Sequence, residues 1–269
     1  MDVFIVDQEK CRRCGACVDE CPTRIMELKT SSPVPTLVKG GEESCIDCGH
    51  CVAVCPDAAL SHRTMMVADC PPMREDWAPK PEFIEHYMRA RRSIRAYEKQ
   101  PVDQSVLAKL IDIARFAPTG SNRQAVQWLV IHDSAEVQQV ASQVIDWMRH
   151  IKEESPSATF ADRIVTAWES GVDYICRGAP HLVIAHAPVD GSSTDCAIAL
   201  TYLELAAPAF GLGTCWAGFV NAAAHSWSPL QESLGLPSGN ASHGGLLIGY
   251  AKYQYHRLPL RNEAKIIWH

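Results

Sequence analysis

Cysteines 11, 14, 17 and 21 stand in CRRCGACVDECP, and cysteines 45, 48, 51 and 55 stand in CIDCGHCVAVCP. The two runs match position by position as Cys-x-x-Cys-Gly-x-Cys-Val-x-x-Cys-Pro, an internal repeat. The N-terminal residues MDVFIVDQEK carry acids where a secretory leader needs bases, and no stretch approaches the ~18 apolar residues of a membrane span. A cytoplasmic location without membrane association is therefore expected. Reduced thiols in such a compartment point to metal or redox chemistry rather than a disulfide framework. Three closely spaced thiolates can wrap three corners of a cubane iron–sulfur cluster, and the fourth ligand must come from elsewhere. Structural zinc takes paired C-x2-C units and matches two complete four-cysteine runs, each closed by a proline, poorly.

The spacing C-x2-C-x2-C-x3-C-P resembles that of two-cluster bacterial ferredoxins. The resemblance implies two [4Fe–4S] clusters, with the last cysteine of each run ligating the other cluster. Cys11, Cys14, Cys17 and Cys55 would hold one, and Cys45, Cys48, Cys51 and Cys21 the other. Gly15 and Gly49 allow the backbone to bend close to the sulfides, and Pro22 and Pro56 turn the chain away after the crossing ligand.

Three later stretches carry ligand chemistry. In ARRSIRAY, Arg91 and Arg95 are spaced to share a helical face, with Arg92 and Ser93 between them. Forked guanidiniums beside a hydroxyl suit a phosphate monoester. In APTGSNRQ, small residues allow close backbone approach, while Asn122 and Gln124 bring donors and acceptors. GLGTCWAGF has Gly-x-Gly but lacks the third glycine of a dinucleotide fingerprint. Taken singly, each also reads as an ordinary feature: a solvated basic patch, a loop, a turn.

Their order and spacing together resemble the FMN-dependent nitroreductase superfamily. That family carries R-x-S-x-[RK], then P-[ST]-x-x-N-x-Q, then G-L-G-T-x-W-x-G, and near its end a Gly-Tyr strand and an R-x-P element. Here these are Arg91–Arg95, Pro118–Gln124, Gly211–Gly218, Gly249-Tyr250 and Arg257-Leu258-Pro259. The resemblance implies that Arg91, Arg92, Ser93 and Arg95 hold the FMN phosphate and ribityl end. Arg257 would close on the phosphate, with Arg261 a lesser candidate. Pro118, Thr119, Gly120, Asn122 and Gln124 would line the flavin ring, and the backbone of Trp216, Ala217 and Gly218 would face its polar edge. It also implies a homodimer with FMN at the interface, so some of these residues act on the partner's flavin. Ala217 stands where some members carry an acid.

The positioning elements follow from hydrophobic patterning. Residues 1–69 form the expected ferredoxin-like domain, the proline-rich 70–81 a linker, and 82–269 the FMN-binding domain. In the last, 102–117 predicts a helix capped by Asp103, with Val106, Leu107, Leu110, Ile111 and Ala114 on one face. Residues 195–210 predict a buried helix stopped by Gly211. Strands are expected at 128–132, 181–186, 213–220 and 244–249. The fold class is α+β, a nitroreductase-like central sheet flanked by helices behind a small two-cluster domain.

A net charge of −6 argues against nucleic acid as a partner. Cys70, Cys176, Cys196 and Cys215 read as buried structural thiols. Trp147, Trp168 and Tyr174, within 147–175, read either as core or as a lid over the flavin. The expected function is an oxidoreductase passing electrons through two clusters to FMN, which reduces a nitroaromatic, a quinone or an activated alkene. The electron donor is expected to be a low-potential protein such as a ferredoxin, or NAD(P)H. No side chain stands out as a catalytic acid or base. Two alternatives stay open: an electron carrier or adaptor for a partner protein, and a flavin dehydrogenase running in the opposite direction.

Overall fold

A computed structural model describes residues 2–154, 159–189 and 192–269. The chain divides into two compact units, Met1–Ala78 with Gly120–Arg123, and Pro79–Thr119 with Gln124–His269.

In the first unit, β1 (Phe4–Val6) pairs antiparallel with β4 (Leu60–His62), and β2 (Met26–Glu27) with β3 (Thr36–Leu37). Two single-turn helices, α1 (Ala16–Asp19) and α2 (His50–Ala53), each begin on a left-handed glycine, Gly15 at φ 81° and Gly49 at φ 72°. At Gly49 a Cβ would also lie 2.6 Å from the Met65 sulfur. The repeat extends to the backbone within and just after the cysteine runs. Arg13 and Asp47 have φ of 59° and 52°, and Arg24 and Ala58 have 52° and 49°. Each pair has the separation that relates Cys11 to Cys45. Val3, Ile25, Met26, Val52 and Leu60 form the core between the two halves.

In the second unit, a four-stranded antiparallel sheet has the order β5 (Gln127–Ile131), β6 (His181–Pro188), β8 (Asn240–Tyr250), β7 (Leu212–Trp216). Side chains alternate across its faces with the strand period of two. Leu182, Ile184 and Leu247 join one core with α5 (Ser134–Glu154), α6 (Thr159–Glu169), α8 (Gly218–Ser226) and α9 (Ser228–Leu234). Val183, Ala185, Leu246 and Ile248 join another with α4 (Gln104–Ala114) and α7 (Ser193–Ala206). Burial on both faces explains why β6 reads as a continuous apolar run rather than an alternating one.

Local signals explain most boundaries. The Asp103 carboxylate accepts the Ser105 amide at the start of α4. After α7 the chain tightens into a 3-10 turn, Ala207–Phe210, and Gly211 ends it at φ 73°. Two expectations need correction. The strand expected over 213–220 stops at Trp216, because Ala217 caps α8 and its amide turns aside to the Gly245 carbonyl. Arg91 and Arg95 do not share a helical face. Helix α3 (Pro81–Ala90) ends at Arg91, whose ψ is 131°, and residues 92–96 are not helical. The Ile94 amide donates to the Thr214 carbonyl at 2.8 Å, tying this segment to β7.

At the start of β6, fully buried His181 accepts the Val102 amide on Nε2 at 2.7 Å and donates from Nδ1 to the His132 carbonyl at 2.7 Å. Those partners fix a neutral imidazole, and burial pushes its pKa below the ordinary 6.5.

Candidate functional site

Two cavities in the first unit are lined by thiols. Cys11, Cys14, Cys17 and Cys55 line one, and Cys21, Cys45, Cys48 and Cys51 line the other. In each, three sulfurs come from one run and the fourth is the last cysteine of the other run. The left-handed glycines produce this arrangement by turning each run back on itself after its second cysteine. Soft, closely gathered thiols suit an iron–sulfur cluster. Burial raises the pKa of Cys17 and Cys45 and pushes Cys51 up to about 11, so loading these sites with metal must expel protons. The Cys55 sulfur accepts the Ala59 amide at 3.2 Å.

The second thiol cavity has a side-chain neighbour that the sequence did not flag. Buried His62 places Nε2 3.4 Å from the Cys45 sulfur and 3.3 Å from Asp47 Oδ1. Its Nδ1 accepts the Thr64 amide at 3.2 Å, which puts the ring proton on Nε2. Arg63 clamps the same Asp47 oxygen with Nε and Nη2.

The second unit holds a cavity of about 320 Å³ beneath the first arginine motif. Arg91, Arg92, Gly213, Thr214, Tyr253 and Tyr255 are among its walls. Gly213 is needed here, because a Cβ would lie 2.3 Å from Ile94 Cγ1. Arg92 donates from Nη1 to the Arg91 carbonyl at 2.7 Å, and its Nε is buried without a partner among the described residues. An unpaired, buried guanidinium N–H at a cavity wall is what an anionic ligand group would satisfy. Arg91 is braced by Glu204, a buried carboxylate on α7. Arg91 Nη1 lies 3.1 Å from Oε1, and the Trp216 indole donates to Oε2 at 3.1 Å.

The other sequence candidates are distributed as follows. Ser93 and exposed Arg95 lie in the non-helical segment after α3. Pro118 and Thr119 precede β5 in the second unit, and the Gln124 amide donates to Thr119 Oγ1 at 3.0 Å. Gly120 and Asn122 fall in the 120–123 segment of the first unit, where the Asn122 amide donates to the Ile46 and Asp47 carbonyls at 3.0 Å. Ser121, Asn122 and Gln124 all have φ near 50°, an accumulation of left-handed residues of the kind found at ligand-binding loops. Ala217 is buried and Gly218 opens α8. Arg257 and Arg261 are exposed in the C-terminal segment, and neither lines the arginine cavity. Cys176, Cys196 and Cys215 are buried, whereas Cys70 is exposed. Trp147 and Trp168 pack against the core, while Tyr174 faces a separate cavity; residues 155–158 of that stretch lie outside the described residues.

Residues 88–250 match the model of the nitroreductase family. The chain belongs to the nitroreductase family. Residues 4–56 match the model of a 4Fe-4S dicluster domain, so this nitroreductase carries a ferredoxin-type domain at its N-terminal side. An Archaeoglobus fulgidus protein assigned as an NADH dehydrogenase/NAD(P)H nitroreductase is 26% identical over 162 residues, covering 60% of this chain and 82% of its own. Ferredoxin-2 of Desulfomicrobium norvegicum is 52% identical over 31 residues, 12% of this chain and 52% of that protein. A Bacteroides fragilis nitroreductase crystallised with bound FMN shares the fold at a TM-score of 0.60 and 19% identity, over 71% of this chain and 100% of that one. Family membership makes the protein a nitroreductase-type oxidoreductase. Among its described residues, no helix is long and apolar enough to cross a membrane.

Sequence reasoning missed Glu204 and His62. Glu204 lies in a largely apolar helix that buries two acids, Asp195 and Glu204, and a core-facing acid is the one signal available. His62 sits alone on a strand end, without metal-ligand spacing around it.

Proposed function

We propose that this nitroreductase takes electrons from a low-potential donor through two [4Fe–4S] clusters and an FMN, and uses them to reduce a small nitroaromatic, quinone or activated alkene. When bound, such clusters carry single electrons, while a flavin accepts electrons singly and delivers them in pairs. The observation that carries the reading is the pairing of two four-thiol cavities with a buried Arg92 Nε that has no partner among the described residues, at a cavity in a nitroreductase domain.

The chain's own residues have distinct tasks in this reading. Arg91 and Arg92 hold the flavin phosphate, and Glu204 keeps Arg91 and the Trp216 edge in register. Tyr253 and Tyr255 offer aromatic walls in the same cavity. The eight cysteines divide between the clusters as their cavities divide them. His62 donates toward the Cys45 sulfur, an interaction that stabilises added negative charge there.

A homodimer fits the exposed apolar surface. Helix α3 leaves Phe83 66%, Ile84 45% and Met88 51% exposed, and the segment after β8 leaves Leu260, Ile267 and Trp268 more than 80% exposed. Apolar surface on this scale marks association sites. The loop at 118–124, which does not line the arginine cavity, would then serve the partner's flavin.

Anaerobic reconstitution tests the reading. The expected result is about eight iron and eight labile sulfide per chain and about one FMN. Stopped-flow mixing should show the reduced protein reoxidised by nitroaromatics, quinones or enones. Reoxidation by a protein acceptor alone would overturn the enzyme assignment, and iron far below eight would overturn the two-cluster assignment.

A further inference from the structure

A second cavity in the larger unit, about 310 Å³, touches the ligand motifs of the sequence at Phe219, the last residue of GLGTCWAGF. Its walls are Phe160, Arg163 and Ile164 from α6, Tyr174 and Arg177 from the following turn, and Phe219 at the start of α8. Phe219 directly follows Gly218, so the cavity abuts the stretch assigned to the flavin's polar edge.

Two observations give this cavity a chemical identity. The first is charge. Arg163 and Arg177 reach it from different elements, and neither forms a hydrogen bond or ion pair among the described residues. Several other arginines of this unit do have acidic partners: Arg115 with Asp112, Arg149 with Asp146 and Glu169, and Arg91 with Glu204. The acids of α6 are already committed, Asp162 to Lys152 and Glu169 to Arg149.

The second is preorganisation. Arg177 holds φ at 58°, a left-handed conformation that is unfavourable for an L-residue. Asp173 holds the turn in place. Its Oδ1 accepts the Ile175 and Cys176 amides at 2.8 and 2.9 Å, and its Oδ2 accepts the Gly178 amide at 3.0 Å. The carboxylate nearest to Arg177 in sequence is thus spent on backbone amides rather than on the guanidinium. Arg177 sits 5.8 Å from the Tyr174 ring centroid, so cation and aromatic wall are presented together.

Two guanidiniums without an acidic partner among the described residues, set among three aromatic rings, match a flat ring with an anionic substituent. Guanidinium forks bind carboxylate oxygens in pairs, and aromatic walls favour a planar body. We propose that this cavity is the recognition site for a planar aromatic carboxylate, with Arg163 and Arg177 taking the carboxylate. This deepens the functional reading above and rests on it in one respect, that the molecule bound is the electron acceptor.

Equilibrium binding to the oxidised, cofactor-loaded full chain separates the two ideas, because no turnover occurs. The probes are 4-nitrobenzoate and its neutral isostere 4-nitrobenzamide, titrated by calorimetry. Wild type should bind the carboxylate at least about tenfold more tightly. That preference should fall several-fold in Arg163→Gln and in Arg177→Gly, and vanish in the double variant. Glycine is chosen at 177 because it accepts the left-handed backbone, so the turn survives. Equal affinity for both probes in wild type, or a preference that survives the double variant, overturns the proposal. Charge-selective binding without reduction of either probe leaves the site standing and sinks the nitroaromatic-reductase reading instead.

Discussion

Arg91 and Glu204 form a largely buried ion pair, 3.1 Å between Nη1 and Oε1, and the same carboxylate also holds the Trp216 indole. One acid on α7 therefore joins the segment after α3 to the end of β7. Removing one member of such a pair leaves the other charge poorly solvated. Glu204→Ala should destabilise the chain by ~2–4 kcal/mol in urea unfolding. Glu204→Gln, which keeps an acceptor for the indole, should lose less. Equal losses in the two variants would show that the indole hydrogen bond adds nothing, and an unchanged Glu204→Gln would show that the charge does not matter.

Gly213 is a spacing residue rather than a turn residue. A Cβ would come within 2.3 Å of Ile94 Cγ1 and 2.9 Å of its Cβ, so the branched side chain has no easy retreat. Gly213→Ala should lower stability by ~1–3 kcal/mol. It should also weaken FMN retention, because displacing Ile94 shifts Arg91 and Arg92. A melting curve and a flavin dissociation constant both unchanged would contradict this account.

The crossed cysteine cavities predict how double variants behave. Cys11→Ala and Cys55→Ala remove ligands of the same proposed cluster, so the pair together should lose no more iron than either alone, about four of about eight. Cys45→Ala with Cys55→Ala should abolish both clusters. Uncrossed ligation would give the reverse pattern, and iron assay with electron paramagnetic resonance distinguishes the two.

Acid should weaken the fold through His181. Its folded pKa lies below the ordinary 6.5, so below that pH the unfolded chain binds the proton more readily. The stabilisation is fully present above about pH 6.5 and is lost as the pH falls toward the folded pKa. His186, also depressed by burial, contributes with the same sign. Thermal midpoints should therefore drop between about pH 7 and pH 5, and less steeply in His181→Gln. Parallel pH curves for variant and wild type would exclude His181 as a contributor.

The cysteine runs were legible because ligand chemistry leaves little freedom in spacing, and the left-handed Gly15 and Gly49 follow from the same constraint. The two-sided burial of β6 was legible as a continuous apolar run. By contrast, nothing local in RRSIR ends a helix at Arg91; the stop comes from the Ile94–Thr214 hydrogen bond, a tertiary contact. The run GTCWAGFV is apolar but for Thr214, and such a run alone cannot say where a strand yields to a helix. Glu204, His62 and Asp173 acquire their roles only through partners far away in sequence or through backbone amides. Residue type alone could not assign those roles.

Because each thiol cavity recruits its fourth sulfur from the opposite run, neither half of the first unit holds a complete set. A metal centre in either cavity would fasten residues 11–17 to Cys55, or residues 45–51 to Cys21, closing a long chain loop as a disulfide does. The halves are then mutually dependent. A nick in the connecting stretch would leave two fragments clasped while metal stays bound and parting once a chelator removes it. For this unit, metal content and structural integrity become one property.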